Sequence, residues 1–371
     1  MAKAPKKPAK KGVVKKKINT ADLMKDVGLV QSTVKDKDLE WIPFNEGFYD
    51  ALGIPGVPKG YCTIFRGFSD TGKSTGIYES IAGAQKIGDY PVIIDTEGSF
   101  NWQHAKDIGM QYEEVVDEDT GEITYKGDFM FFSGADLLKT FGTFDYASGK
   151  DGGKQLRSEP VVEDIARLIN IIFEKQMNGE IEQDILFVWD SIGSLDCFRG
   201  ATKGASNNQW TAGALNSAFK SILNYKIPST RREDSPFTNT FVVVNKIWLD
   251  SSGMGQPIIK HSGGEGFKFG ARLIIHMGGK TTSSASALKA TAGGKEFMFG
   301  MQTKIEVAKN QVNGVTLKGK IASTSHGFWN PDKINDYKKV HKEYLKEMLD
   351  TTRDDFEIKF EEGINDNHSQ E

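Results

Sequence analysis

Only two cysteines, Cys62 and Cys197, occur in 371 residues. Two thiols cannot build a disulfide framework or a four-thiolate metal site, and such scarcity fits a reducing, intracellular compartment. The cytoplasm is the expected location. The chain also lacks an apolar run near the ~20 residues that a membrane-spanning helix needs, so no membrane association is expected. Residues 1–17 contain no acid, no arginine and no apolar stretch. That argues against a secretory signal peptide and fits a mitochondrial transit peptide poorly. No internal repeat is visible.

What residues 1–17 do hold is eight lysines. Without them the 47 basic residues fall to 39 against 50 acidic ones, so the net charge of −3 becomes about −11 for the remainder. Residues 350–371 carry eight acids and two bases. Like-charge blocks of this kind are usually disordered. The head is expected to be a disordered basic arm, either drawn weakly to nucleic-acid phosphates or only solubilising.

Between the charged ends, 38% hydrophobic content allows a sizeable core. The length allows two or three domain-sized units, or one large domain with appendages. Strands are expected at Tyr61–Phe65, Pro91–Asp95, Phe129–Phe132, Ile185–Asp190, Thr240–Asn245, Arg272–Met277, Met301–Val307 and Val315–Ala322. Asp119-Thr-Gly-Glu122 reads as a hairpin turn. Helices are expected after Lys73, over Val161–Met177, around Leu215–Leu223 and after Asn330-Pro331. Strand–helix alternation through residues 61–245 predicts an α/β fold: a mostly parallel central sheet covered by helices on both faces. Ligands of such sheets sit beyond the carboxyl ends of the strands.

The chemistry begins at Gly67-Phe-Ser-Asp-Thr-Gly72-Lys73-Ser74, which follows a strand and opens a helix. Successive backbone N–H groups and a helix N-terminus make an anion nest. Gly67, Ser69, Asp70, Thr71, Gly72, Lys73, Ser74 and Thr75 are the candidate phosphate-binding residues. Lys73 would neutralise phosphate charge and the Ser74 hydroxyl would ligate Mg²⁺. A second apolar strand ends in Asp190, a carboxylate suited to the Mg²⁺. A third delivers Asp95 and Glu97 to the same edge, where a carboxylate can orient or deprotonate a water. Glu97 is the preferred base and Asp95 its rival.

Four segments resemble RecA-type strand-exchange recombinases in order and spacing: the phosphate loop, Asp95-Thr-Glu-Gly-Ser-Phe100, Trp189-Asp-Ser-Ile-Gly-Ser-Leu195 and Val242-Val-Val-Asn245. Ser262-Gly-Gly-Glu-Gly-Phe-Lys-Phe269 is similar to the segment that closes the family's second DNA-binding loop, and Trp41-Ile-Pro-Phe44 to its lead-in. The resemblance covers roughly residues 41–322 and looks most like the bacteriophage, UvsX-type branch. It implies a RecA-like P-loop ATPase core that uses ATP and Mg²⁺ and forms helical homo-oligomeric filaments on single-stranded DNA. It also implies pairing of that DNA with double-stranded DNA, and a loader and a single-strand-binding protein as further partners. Residue by residue, it makes Glu97, Lys73 and Lys309 catalytic, with Lys309 reaching the neighbouring subunit's ATP. Ser74 and Asp190 become the metal residues, and Asn101 and His104 the adenine contacts, with Trp102 as another ring able to stack on the base. Lys246 and Gln311 depart from the bacterial pattern, which has a coupling glutamine and a second lysine at those places.

The loops near 198–210 and 250–266 emerge at the expected ligand edge. They offer Arg199, Lys203, Lys260 and His261 as DNA-binding candidates, among glycines that let backbone approach phosphates. The domain reading is a basic arm (1–17), a small N-terminal segment able to support oligomerisation (18–55), the ATPase core (56–330), and a C-terminal helix with an acidic tail (331–371). A hexameric helicase and a regulatory ATPase share such a core. Asp190-Ser-Ile-Gly-Ser-Leu195 and the placing of Lys309 favour the recombinase over both.

Overall fold

The computed structural model describes residues 34–146, 153–203, 208–250, 258–261, 264–292 and 295–348. The basic arm and the acidic tail lie outside the described residues. Strands β1 (Trp41–Pro43) and β2 (Gly56–Pro58) pair antiparallel. Strand β3 (Cys62–Gly67) leads into the helix Lys73–Ile87, and β4 (Tyr90–Asp95) follows. Strands β5 (Glu113–Val116) and β6 (Ile123–Lys126) form a side hairpin around the expected Asp119-Thr-Gly turn. After β7 (Met130–Ser133), a second hairpin joins β8 (Thr143–Tyr146) to β9 (Gly153–Leu156). The helix Val162–Met177 then returns the chain to β10 (Ile185–Asp190), and the helix Asn208–Ser221 precedes β11 (Thr240–Asp250).

The remaining strands are β12 (Ile258–His261), β13 (Leu273–Met277), β14 (Ser286–Ala292), β15 (Lys295–Asn310), β16 (Lys318–Thr324) and β17 (Gly327–Trp329). The central sheet runs β17-β16-β15-β13-β3-β11-β10-β4-β7. From β13 to β7 every pairing is parallel. The β15, β16 and β17 strands extend it antiparallel.

The parallel strands are apolar at nearly every position because both faces are covered. Ile185, Phe187 and Trp189 enter a core with Ile165, Ile169 and Phe219 of two covering helices. Leu186 and Val188, pointing the other way, pack with Ile77, Ile81 and Phe48. Burying an aliphatic or aromatic side chain of this kind stabilises by about 1.5–3 kcal/mol, and the alternation fixes strand register. Among the described residues no helix is long and apolar enough to cross a membrane.

Five expectations shift. The Thr240–Asn245 strand continues to Asp250 and folds back on β12, so an irregular loop was expected where a hairpin stem stands. Met301–Val307 is the middle of the long β15, paired on one side with β14, where a loop was expected. Val315–Ala322 moves to Lys318–Thr324 because Asn310 and Asn313 close a turn on Val315. The segment after Asp190 contains a short helix, Phe198–Lys203. After Asn330 the chain makes a 3-10 turn, Pro331–Lys333, before the helix Ile334–Val340.

Candidate nucleotide and nucleic-acid site

Strand β3 ends at Gly67, beside Met277 of β13 and Lys246 of β11. A Cβ on Gly67 would run into the Met277 carbonyl oxygen, so only glycine lets the loop start here. The Thr71 hydroxyl donates to the Phe68 carbonyl at 2.9 Å. Asp70 lies at φ 59° and Gly72 at φ 89°, left-handed conformations that Asp tolerates and glycine favours. The helix Lys73–Ile87 starts at once, so its unpaired N–H groups and positive dipole end close the loop. Lys73 is buried and donates to the Phe68 carbonyl. Burial pulls its ammonium down to about 8, against the opposing pull of Asp190. Ser69, Asp70 and Ser74 are exposed, whereas Thr71 and Thr75 are buried.

Strands β4 and β10 place Asp95 and Asp190 in register. The Asp95 carboxylate is committed to the following turn. Its oxygens accept the backbone N–H groups of Glu97 at 3.0 Å, Gly98 at 2.9 Å and Phe100 at 2.9 Å. Glu97 instead turns toward β10 and β11. It accepts from the Ser191 hydroxyl and pairs with the Lys246 ammonium at 2.5 Å. Asp190 is pushed up to about 7, first by burial and then by Glu97 and Asp95, with Lys246 and Lys73 opposing. The Asp190–Ser191 peptide is cis.

This donor set fits a triphosphate and its cation. The loop gives backbone N–H groups, Lys73 a buried cation, and Ser74 an exposed hydroxyl. Among the described residues no group of three or more His, Cys, Asp or Glu could hold a metal. Ser74 and Asp190 are the residues here that could hold Mg²⁺, a cation that usually takes only one or two carboxylates from the protein.

At the far end of the site, Asn101 caps the helix Trp102–Ile108, its side-chain oxygen accepting the His104 N–H at 2.9 Å. The Asn101 N–H donates to Tyr78 Oη at 2.9 Å. His104 Nε2 lies 3.1 Å from the Thr324 carbonyl oxygen, its ring edge-on to Tyr78. Burial holds its imidazole below the usual range. Trp102 is engaged elsewhere than at a base: its face lies on Tyr125 at 3.9 Å, inside an aromatic cluster with Phe100, Tyr112 and Phe131.

Lys309 does not join these residues within one chain. It pairs with Ile274, which is level with Ile64, back along β3 from Gly67. Its ammonium caps the end of the helix Gly264–Gly270 through the carbonyls of Lys268, Phe269 and Ala271. Gln311 accepts from Arg272 at 2.8 Å.

The four DNA candidates fall on two elements. Arg199 and Lys203 lie one turn apart on the short helix, both over the Trp210 ring at 4.0 and 5.9 Å. Lys260 and His261 lie on β12, facing Trp248 and Ile247 across the hairpin, and Lys260 pairs with Asp250. The hairpin stem rises directly from Lys246, so the strand that meets the phosphate loop also carries the second nucleic-acid candidate.

Sequence reasoning missed three participants. Ser191 was passed over although it follows Asp190. Trp248, 41% exposed beside Lys260, offers an aromatic face next to a cation. Ser323 sits against the loop so closely that a Cβ on Gly72 would collide with its hydroxyl, and that hydroxyl is buried with no partner among the described residues. Ser323 lies far along the chain and no local signal marks it.

Residues 21–135 match the RecA N-terminal domain family. A plasmid RecA protein of Lactococcus lactis subsp. lactis is 35% identical over 74 residues, 19% of this chain and 22% of the relative. RecA of Clostridium perfringens strain 13 is 39% identical over 74 residues, 19% of this chain and 21% of the relative. RecA of Treponema denticola is 38% identical over 88 residues, 23% of this chain and 21% of the relative. The chain thus spans about a fifth of the length of the curated relatives it matches. These matches cover only part of the chain, and the mostly parallel sheet flanked by helices is consistent with a RecA-like core.

Proposed function

We propose that this protein is an ATP-dependent DNA recombinase of the bacteriophage UvsX type. In this reading it forms filaments on single-stranded DNA, hydrolyses ATP when DNA is bound, and promotes homologous pairing and strand exchange. The observation that carries the reading is convergence on one sheet edge. Lys73, Ser74, Glu97 and Asp190 meet there, and the β11–β12 hairpin rises from the same edge.

The geometry supports the following roles. The loop from Gly67 to Thr75 cradles phosphates, and Lys73 neutralises their charge. Ser74 and Asp190 would hold Mg²⁺, which would supply further charge neutralisation. Glu97 takes the proton of the attacking water at a carboxylate oxygen, with Ser191 and Lys246 fixing its direction. Asn101 and His104 contact the adenine base. Arg199, Lys203, Lys260 and His261 meet DNA phosphates, and Trp210 and Trp248 lend stacking faces. Residues 18–55 contribute to subunit contacts, and the arm 1–17 and the acidic tail 350–371 tune access of DNA to the core. A loader and a single-strand-binding protein complete the setting, in the cytoplasm of a phage's host.

The deciding experiment measures phosphate release with and without single-stranded DNA, and images the protein with a slowly hydrolysed ATP analogue. DNA-stimulated turnover and helical filaments are expected. Closed rings would point to a helicase, and turnover indifferent to DNA to a regulatory ATPase.

A trans role for Lys309 makes a separate prediction. Lys309→Ala and Lys73→Ala proteins, each inactive alone, should regain activity when mixed. Some mixed interfaces then pair an intact phosphate loop with an intact Lys309. No recovery at any mixing ratio, in filaments shown to co-assemble, would remove the trans role. The cap on the helix Gly264–Gly270 would then be its whole function.

A further inference from the structure

Glu79 lies on the inner face of the helix that begins at the phosphate loop, 4% exposed and with no cation paired to it among the described residues. A buried carboxylate without a counter-charge is costly unless its oxygens are well hydrogen-bonded. Both are used, and by distant segments. Oε1 accepts the Phe328 N–H at 2.7 Å and Oε2 the Asn45 N–H at 2.9 Å. The approach is close enough that a Cβ on Gly327 would strike Oε1, and Gly327 lies at φ 94°.

Phe328 lies in the middle of the return strand of the β16–β17 hairpin, whose other arm meets the nucleotide site twice. Ser323 lies against Gly72, and the Thr324 carbonyl oxygen meets His104. The turn is braced by the Thr324 hydroxyl, which donates to the Gly327 carbonyl at 3.0 Å. Asn45 holds the same turn from outside, its side-chain amide donating to the His326 carbonyl at 2.9 Å. One carboxylate therefore ties together the phosphate-loop helix, the entry to the first described helix, and the hairpin that walls the site.

From this geometry we infer that Glu79 is a positioning residue: it sets the distance between the phosphate loop and the Ser323–Thr324 wall, and through it the affinity for nucleotide. This rests on the nucleotide reading above and adds to it a residue that touches no substrate. Glu79→Gln keeps the shape but offers one acceptor to two N–H donors, so either Asn45 or Phe328 must let go. The change need not unfold the chain. Burial raises the Glu79 carboxyl to about 7, with the Phe328 N–H, the Asn45 N–H and the Asn45 side-chain amide opposing. An acid raised in the fold costs stability once ionised, fully above that value and not below its unfolded one. At pH 8 the neutral amide is relieved of that cost, which offsets the lost hydrogen bond.

The test is titration with a fluorescent ATP analogue, alongside steady-state turnover and melting, on the full chain at pH 8. Glu79→Gln should weaken binding about tenfold, the loss of one hydrogen bond to a charged group. Turnover at saturating ATP should change less than about twofold, because the lost contact is not one made only in the transition state. Asn45→Ala, which keeps its N–H but drops the side-chain contacts with the His326 carbonyl and the Glu79 carboxylate, should weaken binding about threefold to tenfold. The double variant should fall short of the product of the two, since both act through one hairpin. Unaltered binding by Glu79→Gln, or independent effects that simply multiply, overturns the proposal alone. A parent chain that binds no analogue overturns the nucleotide reading, and this inference with it.

Discussion

Lys73→Ala should lower ATP turnover by ~10²-fold or more, the scale seen when a preorganised donor to developing charge is removed. The effect is large because of what surrounds the ammonium. Asp190, Glu97 and Asp70 all act on it electrostatically. With Lys73 gone, the phosphates would meet three carboxylates and a set of backbone N–H groups alone. Nucleotide affinity should fall together with turnover, since the cation serves ground and transition states alike. Folding should survive, because Lys73 is the first residue of its helix, Ala is a strong helix former, and removing a buried ammonium relieves its desolvation. Phosphate release and analogue binding, each with a melting curve, measure all three. Unchanged turnover in a folded variant would remove the nucleotide-site argument entirely.

The phosphate loop was legible because its chemistry needs adjacent residues. A strand, a glycine turn and a helix start must follow one another, so eight consecutive positions carry the whole device. The parallel sheet was legible for a related reason: runs such as Ile185–Trp189 are apolar on both faces, and only a doubly covered strand requires that. Asp95 and Glu97 could not be separated by spacing, as both leave the same strand toward the same edge. Only the hydrogen bonds from Glu97, Gly98 and Phe100 to Asp95 divide their tasks.

Other features depend on contacts between strands that the chain order does not announce. Lys246 meets Glu97 because β11 and β4 both flank β10. Ser323 meets Gly72 only after the chain has crossed the sheet and turned back. The hairpin at β11–β12 was hidden by glycines and serines, which read as a loop even though Trp248 and Ile259 flank them. Trp102 misled because an aromatic on a short helix can face a ligand or a core, and Tyr125, its stacking partner, lies on a side hairpin with no visible tie to it.

Glu97→Gln should bind ATP within a fewfold of the parent and hydrolyse it about 10²–10⁴-fold more slowly, the range for loss of a general base. The amide keeps the side chain's length, and its oxygen can still accept from Ser191. It cannot take a proton, and it gives up the ion pair with Lys246. That pair is a small loss, because Lys246 is half exposed and such pairs contribute under about 1 kcal/mol. Asp95→Asn should behave differently. Asn offers one acceptor oxygen to three N–H groups, so at least one charge-assisted bond is lost, a change of about 1.5–3 kcal/mol in stability. Its melting temperature should drop, and hydrolysis should fall only as far as the loosened 97–100 turn displaces Glu97. The two variants thus separate by readout: one loses chemistry with its stability intact, the other loses stability first. If Asp95→Asn stops hydrolysis at an unchanged melting temperature while Glu97→Gln turns over normally, the base is Asp95, and the three N–H contacts around it are its activation rather than its employment in a turn.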